Sequence, residues 1–156
     1  MSHPNVFDAD FHYDDSDPSG YRSGQARVGR QAGERENVVK LFELPAGEAL
    51  CPYHYEYVEE WLIVLAGDGV TIRTPDGEQT LANGALVCFP SGPAGAHKVI
   101  NRGTAAARVL MFSSAREPSV AVYPDSDKVG VWSGNDADTF RFRRRDADVD
   151  YWADEF

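Results

Sequence analysis

The chain of 156 residues lacks the features that define several large protein classes. Lys and Arg number only 15 against 25 Asp and Glu, which gives a net charge of −10. Such a surface repels phosphate backbones and anionic lipids, so we expect no nucleic-acid partner and no membrane partner. No apolar run approaches the roughly 18 residues that a membrane-spanning helix needs. The first twenty residues contain five aspartates and neither Lys nor Arg, the reverse of a signal or transit peptide.

Cysteine is equally scarce, and only Cys51 and Cys88 are present. Two cysteines do not make a disulfide framework, so we expect free thiols in a reducing, cytoplasmic setting. Cys88 lies within an apolar run and is predicted to be a core residue. Cys51 is predicted to face away from His54 on a shared strand, and its acidic neighbours raise the pKa of a thiol. Neither cysteine is therefore interpreted as a nucleophile.

Long amphipathic segments are also missing, because no apolar stripe at helical spacing continues for about twelve residues. Short runs of β-branched and aromatic residues are present instead, separated by Gly, Pro, Asn and Asp. This pattern predicts an all-β fold, a sandwich or barrel of the jelly-roll kind. The predicted strands are residues 37–44, 52–57, 61–66, 69–74, 85–89, 97–101, 106–112, 119–123 and 128–132.

The two ends of the chain differ in composition from its middle. Most of the excess negative charge lies in residues 1–20 and 134–156, and both regions also contain several large aromatic residues. A disordered tail rarely keeps so many aromatics, so we expect both ends to pack on the body or on a partner subunit. We predict a barrel at residues 37–132, an N-terminal arm at 1–36, a C-terminal arm at 133–156, and a homodimer that buries part of these arms.

Four polar residues in the predicted barrel have the side-chain chemistry of a metal site. His54 and Glu56 are two residues apart on a predicted strand, so their side chains share one face. Glu60 begins the next apolar strand, and His97 begins a later one. Two imidazoles and one or two carboxylates converging inside a barrel form a site for a divalent transition metal. The same face of each strand predicts Leu62, Val64 and Val99 as interior residues.

The spacing of these residues resembles the two sequence motifs of the cupin family. The stretches PYHYEYVEEW and CFPSGPAGAHKVINR are similar to those of small single-domain bacterial cupins, and the resemblance covers about residues 37–115. It implies a double-stranded β-helix, the jelly-roll barrel of that family. The first motif comprises Gly47, His54, Glu56, Glu60 and Gly67, and the second comprises Gly84, Pro90, Gly92, His97 and Asn101.

The resemblance implies that His54, Glu56, Glu60 and His97 are metal ligands, with two departures from the family pattern. Only two residues separate Glu56 from the pair Glu59 and Glu60, and Glu60 is favoured as the ligand because six residues then lie between it and Gly67, as in the family. Glu56 stands where most cupins have a second histidine. Two nitrogens and two carboxylates suit Zn, Mn, Fe or Ni, and ligand type alone does not choose among them. Two alternatives stay open: three ligands without Glu56, or a pocket that holds no metal.

Three kinds of function are compatible with this sequence. The first is a metal-dependent isomerase, lyase or dioxygenase that acts on a small oxygen-bearing molecule. The second is a non-catalytic module that binds a small molecule, and the third is a structural protein. A less favoured variant of the first is a non-haem iron oxygenase with His54, Glu56 and His97 as its triad and Arg108 as a substrate-binding residue. No catalytic residue is predicted beyond the metal ligands.

Overall fold

Strands dominate the computed structural model, which describes residues 3–154. Its two helices are short, α1 at Val28–Ala32 and α2 at Arg144–Ala147. Across residues 3–154, none of the helices has the length and apolar character to cross a membrane. The strands are β1 His12–Tyr13, β2 Gly24–Ala26, β3 Asn37–Leu44, β4 Tyr55–Glu56, β5 Glu60–Ala66, β6 Val70–Thr74, β7 Gly77–Thr80, β8 Leu86–Phe89, β9 Lys98–Asn101, β10 Ala107–Ser114, β11 Ser119–Tyr123, β12 Lys128–Trp132 and β13 Phe140–Arg143.

These strands form three antiparallel sheets. The largest has the order β1-β2-β3-β10-β5-β8, and the others have the orders β13-β12-β11-β4 and β7-β6-β9. An isolated antiparallel bridge pairs His54 with His97 and so connects the start of β4 to the start of β9. The two smaller sheets are thereby joined at the histidine pair. This arrangement confirms the predicted all-β jelly-roll barrel.

The apolar core lies between the large sheet and the three-stranded sheet. Leu62, Val64 and Val99, the residues predicted to face inward, are 0%, 1% and 0% exposed. They form one cluster with residues of β3, β6, β8 and β10. The alternation of inward and outward side chains along β5 therefore places its odd-numbered residues on the outer face and its even-numbered ones in the barrel.

The predicted strands match where apolar residues alternate and fail where the backbone is irregular or polar. Residues 37–44, 119–123 and 128–132 are strands with the predicted bounds. The predicted strand 52–57 is reduced to β4, because residues 51–53 form bends. Strand β7 was not predicted, since all four of its residues are exposed and carry no apolar pattern.

Both ends of the chain extend the sheets. Strand β2 pairs with β3, and β1 pairs with β2. At the other end, β13 pairs with β12 over Phe140–Arg143. The segments that were expected to pack on the body thus hydrogen-bond to it along short strands, while the boundaries of the arms at residues 36 and 133 stay a prediction.

Asn101, the last residue of the second motif, connects three segments of the backbone. Its side chain is fully buried. Its Nδ2 donates to the carbonyl oxygens of Leu44 and Ala105, each at 2.8 Å, and its Oδ1 accepts from the backbone N–H of Gly103 at 2.9 Å. Both amide hydrogens and the oxygen of this buried side chain thus have partners, so Asn101 stabilises the loop between β9 and β10.

Replacing Asn101 with Ala should lower the free energy of unfolding by roughly 2–3 kcal/mol, because three backbone groups lose their buried partner. Urea denaturation of the two proteins measures this difference. Asn37→Ala, at an exposed position of β3, is the matched control and should change stability by less than about 0.5 kcal/mol. Equal losses in both variants would show that the Asn101 side chain does not hold the loop.

Candidate metal centre

The two motif histidines lie side by side although 42 residues separate them in the chain. The backbone N–H of His54 donates to the carbonyl of His97 at 3.0 Å, and the reciprocal bond is 2.7 Å. Their ring centroids are 4.7 Å apart. Gly92, with φ of 84°, begins the turn that leads into His97, a conformation that favours glycine. The bridge between the two smaller sheets therefore fixes both imidazoles at one point of the barrel.

Each imidazole is oriented by a backbone carbonyl two residues earlier. His54 Nδ1 lies 3.0 Å from the carbonyl oxygen of Pro52, and His97 Nδ1 lies 2.9 Å from that of Gly95. A carbonyl oxygen only accepts, so Nδ1 carries the proton in both rings. The lone pair of each Nε2 is then free to bind a ligand, the arrangement that is common in metal-binding histidines.

His97 Nε2 is buried and has no hydrogen-bond partner within residues 3–154. The residue is 0% exposed, and the Phe89 ring stacks on its imidazole with centroids 3.7 Å apart. Leaving a buried acceptor without a partner costs about 1–3 kcal/mol. Packing fixes the position of the His97 ring, so Nε2 cannot turn toward another group of the protein. We therefore expect its partner to come from outside the chain.

Glu60 meets the histidine pair from the opposite side of the barrel. It is the first residue of β5, and its Oε2 lies 3.7 Å from His97 Nε2 and 3.9 Å from His54 Nε2. These separations exceed hydrogen-bond length. Two atoms that each bind one ion at about 2.1 Å are at most about 4.2 Å apart, so both separations admit a shared ion. Ligand atoms of His54, Glu60 and His97 all lie within 4.8 Å of one another.

The pKa values in this group are shifted by burial. Burial lowers the pKa of His97 to about 4, and the neighbouring His54 adds to the decrease. Burial also lowers the pKa of His54, against the opposing effect of the Glu56 carboxylate. Burial raises the pKa of Glu60 to about 8, and Glu56 adds to the rise. Both imidazoles are thus neutral near pH 7, so their contacts with Glu60 are not ion pairs. A bound cation would favour the carboxylate form of Glu60.

Glu56 and Glu59, the two glutamates that precede Glu60 in the chain, lie in different surroundings. Glu56 is half-buried on β4 and lines the same cavity as Glu60, but it is not a member of the three-residue group. Its Oε2 accepts a hydrogen bond from Ser119 Oγ at 3.3 Å. Coordination of a metal by Glu56 stays a prediction. Glu59 is exposed and accepts from Trp61 Nε1 at 2.7 Å, outside the group.

The structure corrects the placement of both cysteines. Cys51 was predicted to face away from His54, but its Sγ lies 3.5 Å from His54 Nδ1, because the backbone around it bends and does not alternate as a strand. Burial raises its pKa to about 12, and Glu60 and Glu56 add to the rise. Cys88 was predicted to be a core residue, but it is exposed on β8. Both cysteines are free.

Arg108 lies outside the centre. It is on β10 between Ala107 and Val109, which are both fully buried, so its own side chain points to the outer face. There it forms an ion pair with Glu43 at 2.9 Å. An arginine in this position does not reach a molecule bound beside His97, and the oxygenase variant loses its substrate-binding residue.

A cavity opens from His54 and Glu60 to the surface. Its inner part has a volume of about 210 Å³ and is lined by His54, Glu56 and Glu60 together with apolar residues of β3 and β10. An outer part of about 400 Å³ reaches Arg116 and Trp132. The two parts share the residues Val38, Lys40, Glu56, Glu60 and Ser113. The centre is therefore reachable by a small molecule.

Lys40 lines this cavity, and sequence analysis did not single it out. It lies at the middle of β3, between Val38 and Phe42, which also line the inner part. The signal was available, because a lysine in step with two apolar residues on a predicted strand faces the same side as they do. Phe89 was missed for a different reason, since an apolar residue that stacks on a histidine has the same pattern as any core residue.

The chain matches the family model of the cupin domain over residues 40–113. This segment runs from β3 to β10 and includes His54, Glu60 and His97. No curated protein matches the chain.

Several solved structures share this fold. A protein from Acidithiobacillus ferrooxidans, described provisionally as a sugar phosphate isomerase, is 24% identical with a TM-score of 0.75, over 83% of this chain and 81% of that one. A sugar phosphate isomerase of the cupin superfamily from Silicibacter pomeroyi is 20% identical with a TM-score of 0.77, over 94% and 96% of the two chains. A polyketide cyclase from Streptomyces resistomycificus is 18% identical with a TM-score of 0.61, over 74% and 80%. At these identities the likeness shows the fold.

In metal-free protein, the shifted pKa of Glu60 should make stability fall as pH rises. The folded state keeps the Glu60 proton up to about pH 8, whereas an unfolded glutamate loses it near pH 4.5. The folded state therefore binds more protons in that window, and its stability decreases with pH. Between pH 6.5 and 8 the loss should be roughly 2 kcal/mol. Urea denaturation after chelator treatment measures it.

Glu60→Gln is the matched variant, since its amide does not titrate. His97, with its pKa lowered to about 4, affects stability only below about pH 6.5. The difference in stability between wild type and Glu60→Gln should thus change by roughly 2 kcal/mol across this window. Parallel pH profiles for the two proteins would show that Glu60 is not desolvated in the folded state.

Proposed function

From the premise that this chain is a small cupin, we propose that it holds a divalent transition metal between His54, Glu60 and His97 and there binds or transforms a small oxygen-bearing molecule. The observation that carries the proposal is the buried His97 Nε2, which faces Glu60 and has no hydrogen-bond partner among residues 3–154. Packing and backbone contacts hold this atom in place, and a cation is the partner that also suits a carboxylate.

The donor set favours Zn, Mn, Fe or Ni. Two neutral imidazoles and a carboxylate are ligands for these divalent ions, whereas Cu(I) prefers thiolates and thioethers. Cys51 does not change this preference, because its Sγ is close to Nδ1 of His54 and not to Nε2, the atom that faces Glu60. When bound, such an ion acts as a Lewis acid toward an oxygen atom of the ligand. Glu56 remains as a fourth ligand or as a carboxylate beside the ligand.

The residues of the chain have separable roles in this proposal. His54 and His97 offer unprotonated Nε2 atoms because backbone carbonyls hold their Nδ1 protons. Glu60 supplies the negative charge opposite them. The apolar residues Phe42 and Met111, on β3 and β10, limit water in the inner cavity. Ser119 orients the carboxylate of Glu56 at the junction of the two parts of the cavity.

The metal centre and its cavity are compatible with more than one reaction class. Structural neighbours include an isomerase and a cyclase by name, and one barrel fold supports many chemistries. The proposal therefore rests on the metal centre and on the cavity that opens to it. We also propose a cytoplasmic location, since the acidic chain has two unpaired cysteines and no disulfide framework.

Replacing His97 with Ala should abolish metal binding, because it removes the buried ligand and one side of the group. Loss of an outer partner of a metal ligand costs about 10–100-fold in affinity, so loss of a ligand should cost at least about 100-fold. Elemental analysis after loading, together with the thermal midpoint with and without metal, measures the effect. In the His97→Ala protein the metal should no longer raise the midpoint.

His12→Ala is the control, because His12 is exposed on β1 and lies outside the group. It should keep the metal content and the metal-dependent rise of the wild type. Full metal content in His97→Ala would contradict the proposed site. Absence of metal from the wild type at every ion tried would support the metal-free alternative.

We propose in addition that two copies of the chain associate through the C-terminal strand. Strand β13 is an edge strand with exposed aromatic and basic residues in alternation. Phe140 and Phe142 are 53% and 40% exposed, and Arg141 and Arg143 lie between and after them. The first twenty residues, acidic and without Lys or Arg, offer the complementary charge on a second copy.

The double variant Phe140→Ser, Phe142→Ser should shift the mass in light scattering from dimer to monomer at micromolar concentration. The apolar anchors of the interface are then lost, although the charges remain. Leu86→Ser, at an exposed apolar position of β8, is the control and should remain dimeric. A monomeric wild type would rule out the dimer, and dissociation of the control alone would move the interface elsewhere.

A further inference from the structure

Among the half-buried cations of residues 3–154, Lys40 is the one that lines the inner cavity. Residues 38, 40 and 42 of β3 all line the inner cavity, so the lysine faces inward between Val38 and Phe42. On the neighbouring strand β10 it is paired with Met111, another residue of the cavity wall. A charged residue at an inward position of a barrel strand is costly unless its charge is compensated.

The other half-buried cations of the described chain have close partners. Arg73 forms an ion pair with Asp125, and Arg108 forms one with Glu43. Lys98 donates to the hydroxyl oxygen of Tyr21 at 3.1 Å.

Within residues 3–154 the Lys40 ammonium has no hydrogen bond and no ion pair within 4.0 Å. It attracts the Glu60 carboxylate over a longer distance, and this attraction lowers the pKa of Glu60 against the larger effects of burial and of Glu56. Once Glu60 binds a cation, the negative charge of its carboxylate is shared between the metal and Lys40. Lys40 then has a free ammonium group directed at the cavity.

The charge of the inner cavity indicates what Lys40 can receive. With a divalent ion in place, the charged groups of the inner part are the ion, Lys40, Glu56 and Glu60. Two positive charges from the ion and one from Lys40 exceed the two carboxylates by one. A ligand with a single negative charge balances the inner part, whereas a neutral ligand leaves an excess charge in a low-dielectric site.

We propose that Lys40 binds an oxyanion, and that the molecule held at the metal centre is a small organic carboxylate or phosphate. This inference rests on the proposed function, whose class of oxygen-bearing ligands it narrows to anions. The ammonium of Lys40 pairs with the oxyanion, and another oxygen of the same molecule faces His54, Glu60 and His97. An inner volume of about 210 Å³ limits the anionic part of the ligand to a few carbon atoms.

The outer part of the cavity suits the remainder of such a molecule. It adds the hydroxyls of Ser114 and Ser119, the Trp132 side chain and Arg116, together with the carboxylates of Glu117 and Asp136, which suit an uncharged, hydroxyl-bearing remainder. Arg116 also forms no ion pair within 4.0 Å in the described part of the chain, but it is exposed to solvent. Lys40 is therefore the residue that selects for charge, because it is the more buried of the two cations.

The test uses calorimetric titration of the full-length protein with two probes, inorganic phosphate and glycolate. Protein is first loaded with Mn²⁺ and gel-filtered, and its metal content is measured. The variants are Lys40→Met, which keeps length but removes charge, and Lys40→Arg, which keeps charge. Lys98→Met is the matched control, since Lys98 is also a half-buried lysine beside His97 but is bound to Tyr21 outside the cavity.

Wild type should bind at least one probe, and the two probes distinguish a phosphate from a carboxylate ligand. Lys40→Met should weaken that binding at least about tenfold, a loss of about 1.4 kcal/mol. Its metal content should equal that of the wild type. Lys40→Arg and Lys98→Met should stay within about threefold of the wild type. Lys40→Gln repeats the comparison if the methionine variant does not fold, as judged by its thermal transition.

Two results would overturn the inference while leaving the metal centre intact. One is equal probe binding by wild type and Lys40→Met, and the other is no binding of either probe up to 50 mM. If the wild type takes up no metal, the proposed function fails separately. The same titrations on metal-free protein then decide the inference alone: binding that depends on Lys40 supports it, and binding that does not depend on Lys40, or no binding, overturns it.

Discussion

The antiparallel bridge between His54 and His97 connects the chemistry of this protein with its architecture. Two reciprocal backbone hydrogen bonds join the three-stranded and four-stranded sheets at the residues whose imidazoles face Glu60. The backbone carbonyls of Pro52 and Gly95 then determine which ring nitrogen carries a proton. Because the orientation of both rings follows from main-chain geometry, the centre is organised before any ligand arrives, which lowers the entropic cost of binding.

Burial of this centre sets up an electrostatic conflict within the chain. Burial keeps the histidines neutral and, together with Glu56, favours the protonated form of Glu60, so the three groups do not neutralise one another. A cation resolves the conflict, since it accepts both nitrogen lone pairs and stabilises the carboxylate. The cation also changes the surroundings of Lys40, because the Glu60 carboxylate then interacts with the ion as well as with Lys40. The metal centre and the proposed anion-binding lysine are thus two parts of one charge balance.

The period of the strands made much of this arrangement predictable from sequence. The alternation of side chains along a strand predicted that Leu62, Val64 and Val99 face the interior, and it predicted the same face for Glu60. The resemblance to the cupin motifs predicted that His97 lies next to His54, although no local rule connects them. Prediction failed where the backbone leaves the strand conformation: Cys51 was assigned to the wrong face because residues 51–53 bend. It also failed for Cys88, since an apolar run on an edge strand can be exposed on one face.

The position of the metal is the central claim, and anomalous diffraction from crystals grown with Mn²⁺ or Zn²⁺ tests it most directly. Data collected on either side of the absorption edge locate the ion independently of the protein coordinates. The account predicts one strong peak about 2.0–2.3 Å from His54 Nε2, His97 Nε2 and a carboxylate oxygen of Glu60. The absence of a peak at His97 Nε2 in metal-soaked crystals, or a peak confined to surface carboxylates, would contradict it.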